Sequence, residues 1–343
     1  MKIITQTIPT NIITGFLGTG KTSAILNLLK TKPTQENWAI LVNEFGEIGV
    51  DGSIFQGVQP EENGVYIKEV PGGCMCCSAG VPIKIALNQL LTRAKPQRLL
   101  IEPTGLGHPQ EVIALLSDDY YKKLIRLEKV ITLVDARKLA DKRYTQHATF
   151  NQQISLADII VGNKQDLYAP SDTQALLDYV QDKNPTAEQV LFTQQGQIAI
   201  ELLTGLTRHD MNNKQKQSLV SPSQPNLMAH AFSADSAIVA EQALPDSGIL
   251  QAINEGEGFQ SIGWRIRADK VFDRRRLMAF FVSLIGARMK AVFITEDGIF
   301  AYNLSDDQLT EQALDECFES RVEIISEQIS NTWESQLFSC LVV

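Results

Sequence analysis

The sequence predicts an α/β fold, a mostly parallel central sheet covered by helices, followed by a smaller α+β domain. Three observations predict it. Apolar strand-like runs alternate with helix-length segments as far as residue 205, the pattern of successive βαβ units. A glycine-rich turn, GFLGTGKT at residues 15–22, joins the first of these runs to the first helix. A polar stretch with two prolines, residues 207–226, then separates this region from a remainder that lacks the alternation.

The strand-like runs lie at residues 11–16, 38–43, 65–70, 98–102, 130–134, 158–162 and 189–193. Helical stretches intervene at 22–30, 81–94, 110–116, 152–157 and 173–181. Beyond the polar stretch, strands are expected at 228–232, 261–266, 288–294 and 322–326, and helices at 273–284 and 333–341. The expected organisation is a first domain over residues 1–206, a linker over 207–226 and an α+β domain over 227–343.

Composition narrows the function. The hydrophobic fraction of 44% and charged fraction of 21% are those of a globular chain able to bury a core. A net charge of -9 argues against nucleic acid as a partner, because phosphate contacts need clustered Lys and Arg. The run Arg274, Arg275, Arg276 reads as a solvated helix face. No apolar stretch reaches the roughly 18 residues that a membrane helix needs, and the N-terminal segment lacks a cleavage site of small residues. No membrane partner is expected, and the expected location is cytoplasmic. Three of the five cysteines, Cys74, Cys76 and Cys77, cluster; in a reducing compartment that points to metal or redox chemistry before disulfides.

The turn at residues 15–22 fits G-x-x-x-x-G-K-[ST] in strand-loop-helix context. Gly15, Gly18 and Gly20 let the backbone wrap. The N–H groups from Gly18 and Thr19 through Lys21, Thr22 and Ser23 are then candidates to hold phosphate oxygens. Lys21 is expected at the β- and γ-phosphates, and the Thr22 hydroxyl on Mg²⁺. At the end of a later apolar run stands Asn163-Lys164-Gln165-Asp166. Asp166 can accept from guanine N1–H and the exocyclic amine, Lys164 would lie along the base, and Asn163 would brace the loop. Adenine offers no donor there, and a site that demands a missing hydrogen bond can discriminate by ~10⁴. Together the motifs imply GTP and Mg²⁺ as cofactors, and slow intrinsic hydrolysis, since no water-positioning side chain is evident.

The strand at 98–102 ends in Glu102-Pro103-Thr104-Gly105. Glu102 is expected to hold Mg²⁺, through water, and the Gly105 N–H to meet the γ-phosphate. Residues 42–52, VNEFGEIGVDG, have three acids and three glycines. They read as a metal-proximal switch, or as an ordinary acidic loop, and Glu44 within them is a candidate metal ligand. Cys74, Cys76 and Cys77 follow a strand and precede a helix; thiolates there suit Zn²⁺ and similar ions, with a carboxylate or His completing the site. Redox and structural roles stay open for the cluster. Catalytic roles fall to Lys21, Thr22 and Glu102.

In this order, GFLGTGKTS, VNEFGEIGVDG, GGCMCC, IEPTGLGHP and GNKQDL resemble the CobW-type metal-chaperone GTPases. The resemblance covers residues 8–205 and extends weakly into FQSIGWRIRADKVFDRRRLMAFF and ARMKAVF. It implies a GTPase that binds Zn²⁺ or Co²⁺ at the C-x-C-C loop and delivers it to a client metalloprotein on hydrolysis. Zn²⁺ is favoured for its fit to thiolates and its availability. Many such relatives carry a His-rich tract, whereas this chain has four histidines, so the cysteine loop must carry the site. His108 is a candidate fourth ligand, although an isolated His is more often structural. Cys317 and Cys340, expected in helical contexts, read as core or surface residues. The competing reading is a GTPase switch that signals to a protein partner, with a structural or redox cysteine loop. A small-molecule kinase is disfavoured, as no acceptor-site signature is present.

Overall fold

The computed structural model describes residues 7–43, 63–70, 81–209, 243–256, 258–305, 308–314 and 317–342. In the first region the elements run β1 (Ile8–Gly15), α1 (Lys21–Thr31), β2 (Trp38–Asn43), β3 (Val65–Val70), α2 (Val81–Ala94), β4 (Arg98–Glu102) and α3 (Pro109–Leu116). They continue with β5 (Ile125–Val134), a single turn α4 (Lys142–Thr145), α5 (Ala148–Leu156), β6 (Ile159–Gly162), α6 (Asp172–Lys183) and β7 (Gln189–Phe192). The strands form one sheet in the order β3-β2-β4-β1-β5-β6-β7, and every recorded pair is parallel.

Both faces of this sheet are buried, so its strands read as continuous apolar runs. Period-2 alternation sends Ile13, Ile40 and Leu100 to one side, with Ile25, Leu28 and Leu29 of α1. Ile12, Leu41 and Ile101 go to the other, against Leu87 and Leu90 of α2 and Val112 and Leu116 of α3. Each such fully buried Leu or Ile contributes about 1.5–3 kcal/mol relative to exposure.

The second region is an antiparallel sheet of β8 (Ile249–Gly256), β9 (Phe259–Arg267), β10 (Arg288–Thr295), β11 (Gly298–Ser305), β12 (Gln308–Leu314) and β13 (Glu319–Ser326). Its order is β12-β11-β10-β13-β9-β8, and α7 (Arg274–Ser283) and α8 (Trp333–Phe338) complete it. One face packs on α7 and α8 through Trp264, Phe281, Phe293, Tyr302, Trp333 and Leu337. The opposite face turns toward the parallel sheet: Val292, Ala301 and Leu314 join the apolar cluster that contains α1, and Ile325 packs beside the cluster around Phe16 and Phe150. An α/β unit with a mostly parallel sheet followed by a smaller α+β domain is therefore the observed fold.

Several elements differ from the expected ones. β5 begins five residues earlier than its apolar run, because Glu128 and Lys129 are buried in pairs: Glu128 with Arg98 (3.1 Å) and Arg126 (2.7 Å), and Lys129 with Glu188 and, at 2.9 Å, the Leu206 carbonyl. α5 begins before residue 152, where His147 accepts the Thr149 N–H at 3.2 Å and caps the helix. β8, β11 and β12 were not foreseen. β12 is an edge strand, its residues mostly exposed, so it carries no apolar alternation. Cys317 stands just before β13 rather than in a helix. The strand expected at 228–232 and most of the expected linker lie outside the described residues. Among the described residues, no helix is long and apolar enough to cross a membrane.

Candidate functional site

Parallel register brings the strand ends to one edge. Ile12 of β1 pairs with Ile101 of β4 and Val130 of β5, and Val134 pairs with Gly162 of β6. The loops leaving β1, β4, β5 and β6 thus emerge together, and the sheet order reverses beside β1, which is where open α/β sheets hold ligands.

The first loop is the glycine-rich turn. Gly15 has φ 146°, and a Cβ there would lie 2.4 Å from the Leu133 carbonyl oxygen, so no larger residue fits. Gly20 stands at the N-terminus of α1 in the left-handed region, φ 95°, and no side chain caps the helix. Asp141, His147 and Asp273 cap their helices, whereas the helices after His108, Ser171 and Thr332 also begin without a side-chain cap. The first turn of α1 also carries no acid. An uncapped helix start with a partial positive charge is suited to an anion. Lys21 is buried, its ammonium 3.3 Å from the Phe16 carbonyl oxygen, and the Thr19 hydroxyl closes the turn by donating to that same carbonyl at 2.9 Å.

From β4, Glu102 arrives beside this loop. It is buried, and Thr22 Oγ1 donates to its Oε1 at 3.1 Å. A hydroxyl and a carboxylate side by side form an all-oxygen set, which fits a hard cation such as Mg²⁺. Gly105 touches the turn: a Cβ on it would come within 2.9 Å of the Leu17 nitrogen. The segment is held by a residue not foreseen, Gln153 of α5, whose buried amide donates to the carbonyls of Gly105 (3.0 Å) and Gly107 (3.2 Å). His108 precedes α3 as its N-cap residue, with Pro109 first in the helix, and caps it with no side-chain hydrogen bond.

The loop after β6 is tied to the turn by Asn163. Its buried amide donates to the Thr19 carbonyl at 2.8 Å and accepts from the Gly196 N–H at 2.9 Å. Lys164 adopts φ 64° and stands 3.7 Å from Asp135 at the end of β5. Arg137 also binds Asp135, at 2.9 and 2.6 Å. Asp166, in the short turn Gln165–Leu167, is exposed. Nearby, Tyr168 accepts from the Ala136 N–H at 3.1 Å, and burial pushes its phenol up to about 12. Asp135, Tyr168 and the loop 193–197 were missed by sequence reasoning. The TQQGQ run straight after the last parallel strand was the available signal for that loop.

The antiparallel sheet closes over this edge. Lys290 of β10 donates to Thr22 Oγ1 at 3.4 Å, and Arg288 donates to the Tyr144 hydroxyl. Arg321 of β13 lies 3.9 Å from Glu69, next to the last residue of β3. Arg321 is itself held by Glu319 at 2.8 Å, which also takes a two-pronged bond from Arg265 at 2.6 and 2.9 Å. On the surface, Arg143 of α4 meets Glu327 at 3.3 Å.

Cys74, Cys76, Cys77 and Glu44, with the remainder of the acidic loop, lie outside the described residues. Among the described residues no group of three His, Cys, Asp or Glu side chains converges as for a metal ion. Cys317 and Cys340 stand apart: their thiols donate to the carbonyls of Glu319 (2.8 Å) and Gln336 (3.3 Å), and burial pushes both up.

A family model described as CobW/HypB/UreG, nucleotide-binding domain, matches residues 9–191. The zinc chaperone YeiR of Escherichia coli (strain K12) is 36% identical over 318 residues, 92% of each chain. The zinc chaperone CobW of a Sinorhizobium species is 30% identical over 235 residues, 60% of this chain and 66% of the relative. A crystal structure of Zn(II)-bound YjiA GTPase from E. coli aligns over 98% of this chain and 99% of its own, at 20% identity and a TM-score of 0.43. With a family match over more than half its length and a relative alike over nearly all of it, the chain belongs to the CobW/HypB/UreG family of nucleotide-binding proteins.

Proposed function

We propose that this chain, a GTPase of its family, carries Zn²⁺ as cargo at Cys74, Cys76 and Cys77 and hands it to a client metalloprotein when GTP is hydrolysed. Co²⁺ is the alternative cargo. One observation carries the reading: β3 ends at Val70, on the edge where the glycine-rich turn and Glu102 meet, and Cys74 follows four positions later. A cysteine loop leaving that edge sits in the chain where nucleotide state can bias it. The zinc chaperones alike to this chain support the choice of cargo.

In this reading the backbone of Gly18 to Ser23 and the Lys21 ammonium hold the phosphates, helped by the uncapped start of α1. Thr22 and Glu102 would hold Mg²⁺, which neutralises charge on the β- and γ-phosphates. The Gly105 N–H meets the γ-phosphate, so its loss on hydrolysis is felt in β4 and the segment that Gln153 anchors. Asp166 selects guanine, and Asn163 fixes the distance between base and phosphate loops. Glu44 and His108 are the candidates to complete the thiolate site.

The test is competition titration of Zn²⁺ and of Co²⁺ with Mg²⁺ present, in the GTP-analogue and GDP states. The GTP-analogue state should bind one of the two ions at least about tenfold tighter, a coupling of roughly 1.4 kcal/mol. Cys76→Ser with Cys77→Ser should abolish that difference and leave nucleotide affinity unchanged. Affinity indifferent to nucleotide would sink the chaperone reading and favour a regulatory switch.

A further inference from the structure

The antiparallel sheet sends a cation into the nucleotide site. In β10, Met289, Ala291 and Phe293 pack on the α7 side, so Lys290 between them points the other way, toward α1. Its ammonium reaches Thr22 Oγ1 at 3.4 Å, across 268 positions of sequence. The same hydroxyl gives its proton to Glu102 at 3.1 Å. A hydroxyl has one proton and two lone pairs. With the proton committed to Glu102, Lys290 uses a lone pair, and the lone pairs are what a P-loop Thr offers to Mg²⁺.

We propose that Lys290 competes with Mg²⁺ for the Thr22 hydroxyl, so that binding of Mg²⁺-nucleotide and docking of the antiparallel sheet at this point oppose one another. Mg²⁺ needs its oxygen ligands at about 2.1 Å in near-octahedral array. An ammonium on the same oxygen would then stand within about 5 Å of a doubly charged ion, where repulsion is strong outside bulk water. Lys290 carries three donors and a flexible stem. It can leave by rotating, and β10 then keeps only its apolar contact with the α1 cluster, through Val292. The two residues flanking Lys290 stay fixed in the α7 cluster, so the side chain responds without unfolding its strand. The competition is specific to the metal: bare nucleotide makes no claim on the Thr22 lone pairs.

The inference rests on the assignment of Thr22 to Mg²⁺, and the experiment separates the two. A fluorescent GDP analogue is bound to the full chain while Mg²⁺ is titrated, for the unaltered protein, Lys290→Met and Lys290→Arg, with thermal unfolding confirming that each variant is folded. Lys290→Met should lower the Mg²⁺ concentration at half-saturation on the order of tenfold. Lys290→Arg should stay near the unaltered value, and affinity in EDTA should hardly change. An unchanged Mg²⁺ midpoint in Lys290→Met overturns the inference while leaving Thr22 in place. Weaker binding in EDTA with the same midpoint overturns it too, since the lysine then serves phosphate. Binding of the unaltered chain that ignores Mg²⁺ removes the Thr22 assignment and the inference together. Should Lys290→Met fail to fold, amine-reactive footprinting of the unaltered chain decides: labelling of Lys290 should rise severalfold with Mg²⁺-GDP and not with GDP in EDTA, and equal labelling overturns the inference.

Discussion

Asn163 joins the glycine-rich turn to the loop after β7 with one amide. It donates to Thr19 in the phosphate turn and accepts from Gly196 in the loop after β7. Gly20 has no room for a side chain because of it: a Cβ there would fall 2.5 Å from Asn163 Nδ2. Asn163→Ala leaves a buried carbonyl and a buried N–H without these bonds, at a cost of about 2–4 kcal/mol. Chemical denaturation should register that loss, and GDP affinity should fall with it. An equal loss of stability with undiminished GDP affinity would mean that Asn163 serves the fold alone. Asn163 stood out in the sequence because N-K-x-D at a strand end downstream of a G-x-x-x-x-G-K-[ST] turn reads as a guanine motif. Its partner Gly196 was not readable, as the contact depends on where β7 ends.

At the scale of elements, α5 reaches across to hold the segment after β4. Gln153 lies in the middle of α5, and its amide bonds the carbonyls of Gly105 and Gly107, while the Thr132 hydroxyl of β5 donates to the main-chain carbonyl of Gln153 at 2.8 Å. Gln153→Leu keeps the bulk and removes the donor, leaving two buried carbonyls without it. The expected cost is about 2 kcal/mol, and on the proposal that Gly105 meets the γ-phosphate the GTP-analogue should lose more affinity than GDP. Calorimetric titration of the two nucleotides checks this; equal losses would remove Gly105 from that role. Most of the parallel sheet was legible in the sequence, since strands buried on both faces read as apolar runs. β5 shows the limit: Glu128 and Lys129 are buried only because Arg98, Arg126 and Glu188 neutralise them, and of those partners Arg98 and Glu188 are distant in sequence. The antiparallel sheet was half legible. Its strands β9, β10 and β13 bury one face against α7 and α8, whereas the edge strands β8 and β12 bury little; β11 is internal but buries residues on both faces, Tyr302 and Leu304 on one and Ala301 on the other, and so shows no alternation.

Across the whole molecule, the antiparallel sheet meets the parallel one by contacts of unequal worth. Arg143 and Glu327 are 75% and 64% exposed, while Arg321 and Glu69 are 17% and 15% exposed. Screened, flexible pairs contribute about 0–1 kcal/mol, and removing one partner of a buried pair strands the other charge. Arg143→Met should therefore leave the radius of gyration from small-angle scattering unchanged, whereas Arg321→Met should enlarge it. The opposite ranking would show that the surface pair sets the docking. None of this was legible in the sequence, because Lys290 and Arg321 belong to strands whose faces are fixed only by the pleat and by what α7 covers, and their partners Thr22 and Glu69 belong to the other sheet's region.

Arg321 pairs in register with Val292, two positions from Lys290 on the same face. The residue that touches Thr22 and the residue that touches Glu69 thus ride on hydrogen-bonded neighbours, β10 and β13, stiff across their shared ladder. A tilt of that plate moves both at once. A signal carried by such a tilt between the glycine-rich turn and the end of β3 would need no chain of side chains through the parallel sheet, and probes at either end should then record one shared relaxation time.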